Sequence, residues 1–202
     1  MAFSDYKSIA QVQTEYQTKY KEANFIQPAN YNPSQVFLEE LKFNQENIDV
    51  FASEAARCET VIFPVLREVY KHYHQQTSLW VQKAIAYDNK LNGTPDYLIS
   101  KRSALGKTML EVPIIIVVEA KKNDFEQGWG QCLAELIAAA HINSEKIPVY
   151  GIVTDGKLWE FAQFMDNTLL KEQTSYTVSD LPVLLGVTNS IFEQATASLA
   201  VS

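Results

Sequence analysis

The spacing of apolar residues in the first 75 positions is helical. It predicts a polar helix over residues 4–24 and a second helix over residues 34–46, which Ser34 can cap. A third helix over residues 54–74 is indicated by apolar positions that recur at intervals of three and four, with Ser53 at its start. Pro64 lies inside this helix and should bend or split it, because proline cannot donate the backbone hydrogen bond.

After residue 75 the apolar pattern becomes short and strand-like. Residues 79–87, 95–99 and 112–120 are rich in β-forming side chains and are separated by turn formers, which predicts a three-stranded meander. The third run is apolar on both faces, so we expect it to lie centrally in its sheet with a layer on each side. The remaining pattern predicts a helix at 125–140 capped by Asp124, a hairpin at 149–153 and 158–164, a strand within 168–178, and a closing helix at 181–200.

This order of helices, meander, helix and further strands predicts an α/β sandwich. Residues 27–34 are rich in turn formers and form the one soft boundary in the pattern. We therefore expect residues 1–50 to be an N-terminal helical extension and residues 51–202 to form the main domain. The helices within residues 4–46 are the expected surface for a second copy or a partner subunit.

Composition excludes several classes of protein. The chain has 202 residues, of which 47% are hydrophobic and 20% charged, and this is enough to build a core without disulfides or a structural metal. The longest apolar run, at 112–118, is far shorter than the roughly 20 residues of a membrane helix. The opening residues show no basic start and no long apolar stretch, and the two cysteines, Cys58 and Cys132, fit a reducing compartment. The expectation is a cytoplasmic protein with no membrane association.

Charge is distributed unevenly along the chain. The protein carries 17 basic and 24 acidic side chains, for a net charge of −7. Residues 51–112 are the exception, with 8 basic against 6 acidic side chains. An acidic protein with one locally basic region can bind a polyanion, but weakly and with strong dependence on salt.

Two acidic side chains and a lysine lie at the ends of two predicted strands. Asp96 follows Pro95 at the start of one, and Glu119 and Lys121 end the most apolar strand. Alternate side chains of a strand share a face, so Glu119 and Lys121 should point the same way. Pairing of the two strands would bring Asp96 to Glu119, and such carboxylates suit Mg²⁺. Lys121 could then orient an attacking water, or neutralise charge on a phosphate in the transition state.

Pro95-Asp96 followed by Glu119-Ala120-Lys121 resembles the PD-(D/E)xK nuclease superfamily. The order of elements over residues 53–165 is also similar to the nuclease domain of type I restriction motor subunits and to related small restriction endonuclease-like proteins. This resemblance implies a restriction endonuclease-like α/β/α sandwich with a central mixed sheet. It further implies that Asp96, Glu119 and the Ala120 carbonyl bind Mg²⁺, with Mn²⁺ as a substitute, and that Lys121 is the catalytic lysine.

Two further positions follow from the resemblance. Gln131 lies where that branch often has a glutamine that positions the lysine or the phosphate, although it could equally be an ordinary polar residue of its helix. A helical glutamate often completes the metal site, and Glu54, Glu59 and Glu68 are available. Glu59 is favoured because it precedes the apolar stripe by about one turn, with Glu54 as the alternative.

The expected function is Mg²⁺-dependent hydrolysis of phosphodiester bonds, with DNA as the expected nucleic acid, in restriction, defence or repair. One alternative is a catalytically silent nuclease-fold module that binds nucleic acid or a partner, and a weaker one is a phosphohydrolase acting on small nucleotides. The sequence lacks a GxxxxGK[ST] phosphate loop, which excludes a nucleotide-triphosphate motor. The pattern does not distinguish DNA from RNA, single from double strands, or internal from terminal cleavage.

Overall fold

A mixed sheet flanked by helices makes up the protein, for which the computed structural model describes residues 2–144 and 147–200. The helices are α1 (Ile9–Tyr16), α2 (Gln35–Asn47), α3 (Glu54–Arg57), α4 (Phe63–Tyr73), α5 (Phe125–Ile142) and α6 (Leu181–Ala197). The strands are β1 (Lys19–Ala23), β2 (Thr77–Val81), β3 (Ile85–Ala86), β4 (Asn92–Gly93), β5 (Tyr97–Lys101), β6 (Glu111–Ala120), β7 (Val149–Thr154), β8 (Leu158–Met165), β9 (Thr168–Glu172) and β10 (Tyr176–Thr177). Within the described ranges no helix has both the length and the apolar character that crossing a membrane requires.

The main sheet has the strand order β1-β9-β8-β7-β6-β5-β2, with β10 paired to β8 and a separate small sheet of β3 and β4. The predicted meander is confirmed in its strand order, because β2 pairs with β5 and β5 with β6 in antiparallel fashion. The first strand expected over residues 79–87 is wrong in its bounds, because Gln82 adopts a left-handed conformation after β2 and Ile85–Ala86 pair with β4 in the small sheet. Strand β6 is central, as predicted, and runs parallel to β7. Helix α5 makes the crossover between these two strands, which places their carboxyl ends at the same edge of the sheet.

Each face of the sheet carries its own core. On one face, side chains of α2, α4 and α6 pack against Ile116, Val118 and Ala120 of β6. On the other face, α5 packs against β6 and shares a core with Ile114 and Val117, and α1 covers α5. From Ile116 to Ala120 the side chains of β6 alternate between the two faces, whereas Ile115 and Ile116 belong to the same core beside the irregularity in the β5–β6 pairing. Burial on both faces explains why residues 114–118 are all apolar. The α/β sandwich expected from the sequence therefore holds at the level of a mixed sheet with helices on both sides.

The N-terminal segment differs from its prediction. The single helix expected over residues 4–24 is wrong, because α1 ends at Tyr16 and Gln17 adopts a left-handed conformation with φ of 54°. Residues Lys19–Ala23 then form β1, which pairs in parallel with β9 at the edge of the sheet. Tertiary hydrogen bonds to β9 thus decide the structure of a polar segment whose own pattern is weakly helical. The division of the chain at residue 50 stays a prediction.

Pro64 splits its helix as expected, and the surroundings show how the break is stabilised. Residues Cys58–Ile62 form a π-helical turn between α3 and α4. Pro64 has no N–H to donate to the carbonyl of Thr60, four residues earlier. That carbonyl instead accepts a hydrogen bond from the side-chain amide of Asn44 on α2, at 3.1 Å. The proline therefore helps to join α2 to the α3–α4 segment.

A close backbone contact ties the N-terminal segment to α6 and gives a stability test. Any Cβ added at Gly186 would lie 2.4 Å from the carbonyl oxygen of Ala29. Alanine favours a helix over glycine by about 1 kcal/mol, but a clash with backbone is relieved only by moving the segment. We expect Gly186→Ala to lower the free energy of unfolding by about 1 to 2 kcal/mol in urea denaturation. An increase in stability would show that this contact is loose.

Candidate active site

The strand register brings the two predicted carboxylates together. Tyr97 of β5 lies opposite Val118 of β6, so Asp96 and Glu119 are the next residues facing each other across the pair. Asp96 anchors itself here, since its Oδ2 accepts a hydrogen bond from the Ala120 amide at 2.8 Å. The start of β5 and the end of β6 therefore meet at one edge of the sheet, beside the end of β7.

Glu119 and Lys121 point to the same face, as the alternation predicted. The Lys121 Nζ lies 2.6 Å from the Glu119 Oε1, and both side chains are largely shielded from solvent. Ala120 points the other way and is fully buried in the opposite core. Gly128 in the first turns of α5 allows this packing, because a Cβ there would lie 3.0 Å from the Lys121 Cγ and 2.8 Å from the Val153 Cγ1.

An open cleft of about 270 Å³ adjoins Asp96. Its lining comes from α3, the π-helical turn and the end of β2, and comprises Glu54, Ala55, Cys58, Glu59, Val81, Gln82, Asp96 and Tyr97. The two helical glutamates favoured by the sequence therefore both border the cleft. Glu68, the third option, lies elsewhere, where it is buried and binds the Ser34 amide and Lys71.

Electrostatics distinguishes the two cleft glutamates. The charge of Glu54 raises the pKa values of both Asp96 and Lys121. The charge of Glu59 instead contributes to the raised pKa of Tyr97. Glu54 is therefore the helical acid whose charge reaches Asp96 and Lys121, while the choice of Glu59 or Glu54 as the residue that completes a metal site stays a prediction.

Helix α5 brings two buried polar side chains to the face of the sheet that carries Glu119. Gln131 is 7% exposed and Glu135, one turn further along, is 1% exposed. Within the described part of the chain, the Gln131 Oε1 and the Glu135 Oε2 have no hydrogen-bond partner. Glu135 interacts with Glu119 by a carboxyl–carboxylate hydrogen bond. An unsatisfied buried amide oxygen supports a site contact for Gln131 over the reading as an ordinary helical residue.

Glu135 was missed by the sequence reasoning. The signal is its position, since it lies within Leu133-Ala134-Glu135-Leu136-Ile137, where every neighbour belongs to the core. A lone charged residue on the buried side of an apolar helix is rare unless it is paired. That rule, combined with the spacing of four from Gln131, could have identified it.

Burial and mutual repulsion shift the ionisation of the cluster. Burial, and then the nearby charge of Asp96, raise the pKa of Glu119 to about 7. Burial likewise raises the pKa of Asp96 and, with the Glu119 charge, the pKa of Glu135. Burial lowers the pKa of Lys121, but the Glu119 carboxylate outweighs this effect, so the net pKa is raised and the lysine stays charged. The site thus concentrates acidic groups that a cation would stabilise.

The donor set fits a hard cation bound by few protein groups. In residues 2–144 and 147–200 no three His, Cys, Asp or Glu side chains are grouped to hold a metal ion. Mg²⁺ does not require such a group, because it commonly binds through one or two carboxylates and keeps several waters. Asp96 and Glu119 supply two carboxylates at neighbouring backbone positions. Burial raises the pKa of Glu119 most and the Asp96 charge raises it further, and a divalent cation would oppose both effects.

Comparison of the chain with protein-family models and with curated proteins gave no match.

The raised pKa of Glu119 predicts a pH dependence of stability. The folded protein holds more protons on this group than the unfolded chain between about pH 4.5 and 7, so its contribution to the free energy of unfolding falls as pH rises through that window. We expect wild type to gain stability relative to Glu119→Gln when the pH is lowered from 7.5 to 5.5. Urea denaturation of both proteins at the two pH values measures this. A constant difference would mean that Glu119 ionises normally.

Proposed function

We propose that the protein is a metal-dependent nuclease of the restriction endonuclease-like fold, which hydrolyses phosphodiester bonds, with DNA as its substrate. The observation that supports this proposal most directly is the grouping of Asp96, Glu119 and Lys121 at two neighbouring strand ends. A structural ion pair alone would not explain the second carboxylate, and an aspartate that only stabilises a turn would not explain the lysine. The proposed setting is cytoplasmic restriction, defence or repair.

The proposed metal-holding groups are Asp96, Glu119 and the carbonyl of Ala120. When bound, Mg²⁺ or Mn²⁺ lowers the pKa of a coordinated water and offsets charge on the scissile phosphate. In this proposal Lys121, which contacts Glu119, holds the attacking water and neutralises a phosphate oxygen. Gln131 would donate from its side-chain amide nitrogen to a phosphate oxygen or accept at Oε1 from Lys121, and the second of these satisfies the buried Oε1 that has no partner among the described residues.

Acidic residues on the cleft side limit how tightly the substrate binds. Glu54, Glu59 and Asp96 all border the cleft, and the chain as a whole is acidic. Lys122 is exposed directly after Lys121, and Lys157 lies exposed in the β7–β8 turn. Since β6 and β7 end at the same edge of the sheet, both lysines can meet a phosphate backbone there. We therefore propose weak binding that weakens further as salt rises.

A binding module without catalysis is the second candidate, and one contact favours it. The 2.6 Å ion pair between Lys121 and Glu119 gives the lysine a partner in the absence of metal. A protein in which Lys121 stayed paired with Glu119 would keep its fold but would not catalyse hydrolysis. A dimer or partner contact through the N-terminal helices also stays a prediction, for which α2 offers Val36 and Phe43, 62% and 60% exposed.

The catalytic role of Lys121 is tested against its neighbour. We expect Lys121→Ala to reduce cleavage of plasmid and single-stranded DNA by at least about a hundredfold, because it removes charge stabilisation at the reacting phosphate. Lys122→Ala removes the same charge from an exposed position and should retain most of the cleavage. The assay compares Mg²⁺, Mn²⁺ and chelator.

Two results would contradict this assignment. Equal cleavage by wild type and Lys121→Ala would remove the lysine from the mechanism, or reveal a contaminating nuclease. Absence of cleavage by wild type, with Mn²⁺ binding retained in calorimetry and lost in Asp96→Asn, would favour the binding module.

The helical acid is tested by a matched pair of substitutions. We expect Glu54→Gln to raise the Mg²⁺ concentration needed for half-maximal cleavage several-fold, because its charge acts on both Asp96 and Lys121. Glu59→Gln, in the same cleft, should leave that concentration within about twofold. The opposite order would restore Glu59 as the completing ligand.

A further inference from the structure

Helix α5 carries a buried acid that the fold does not need. Glu135 is 1% exposed and is surrounded by the alanine and leucine side chains of its own helix and the core beneath. Its Oε2 has no partner within the described residues, and the hydrogen-bonding interaction that raises the pKa of Glu135, after burial and nearby negative charge, is with another acid, Glu119. A leucine here would match its surroundings, because a buried polar atom without a partner costs free energy.

Two other buried acids in the described part of the chain are bonded differently. Glu172 accepts hydrogen bonds from the backbone amides of Phe25 and Ile26 at 2.8 and 3.0 Å, so it fixes the segment that follows β1. Glu68 likewise caps the Ser34 amide and pairs with Lys71. Both carboxylates have clear structural partners. Glu135 has none of this kind, which indicates that its contact with Glu119 is the reason for its position.

We infer that Glu135 is a positioning residue for Glu119. Helix α5 is rigid and closely packed, and through Glu135 it holds the Glu119 carboxylate where that group meets Lys121 and stands beside Asp96. Partners of this kind fix the orientation of a ligating carboxylate before a metal arrives. The expected effect on metal binding rests on the proposed nuclease function. The positioning of Glu119 by Glu135 is a property of the chain without metal.

Three variants separate positioning from support of the fold. Glu135→Leu removes the contact and fills the space, so we expect its stability in urea to equal or exceed that of wild type. Its Mn²⁺ affinity in calorimetry should fall about tenfold or more. Glu135→Gln keeps a donor for Glu119, so it should stay within about threefold of wild type. Glu172→Gln is the control, which should lose stability and keep Mn²⁺ affinity.

A crystal structure of Glu135→Leu tests the positioning role without depending on metal binding or activity. We expect the Glu119 side chain to change rotamer and the 2.6 Å contact with Lys121 to be lost. If wild type binds no Mn²⁺ while Glu119 moves in the variant, the nuclease proposal fails and the positioning role stands. If Glu119 keeps its place and its contact with Lys121 in Glu135→Leu, the positioning role is overturned whatever the activity.

Discussion

The antiparallel register of β5 against β6 is the constraint on which the candidate site depends. It sets Tyr97 opposite Val118 and therefore places Asp96 beside Glu119. Side chains in a strand alternate strictly, so a slip of one residue would turn Glu119 into the opposite core and bring Ala120 to the site. The irregularities of the pair lie at the other end of β5, beyond Ile99, so the pairing at the site end is regular.

That register is favoured by the change of polarity at the end of β6. Val117 and Val118 are buried in the two different cores and suit either face, but Glu119 contacts Lys121 while Ala120 fills the opposite core, so a shift of one residue would bury Glu119 there. The acidic cluster lies at the point where this apolar strand ends. The hydrophobic effect thus determines the position of groups that are themselves unfavourable to bury.

Burying several acidic groups side by side destabilises the folded protein, and this cost is the main physical feature of the cluster. Three carboxyl groups interact with one another through space, and Lys121 is the described residue that supplies an opposite charge to Glu119 and Glu135. Protonation, the lysine, or a divalent cation can each relieve the repulsion. Glu119 and Glu135 differ in this from Glu172, whose carboxylate accepts hydrogen bonds from two backbone amides, while Asp96 accepts one from Ala120.

Local chemistry in the sequence determined much of the fold and the centre of the site. Ser34, Ser53 and Asp124 accept the helix-capping hydrogen bonds expected of them, because capping involves residues only three apart. The β-meander and the pairing of Glu119 with Lys121 followed equally from strand periodicity. Only the tertiary structure decided that residues 19–23 form a strand, since its partner β9 lies about 150 positions away. It alone also brought Glu135 to Glu119, because a contact between a helix and the sheet depends on packing that no local pattern encodes.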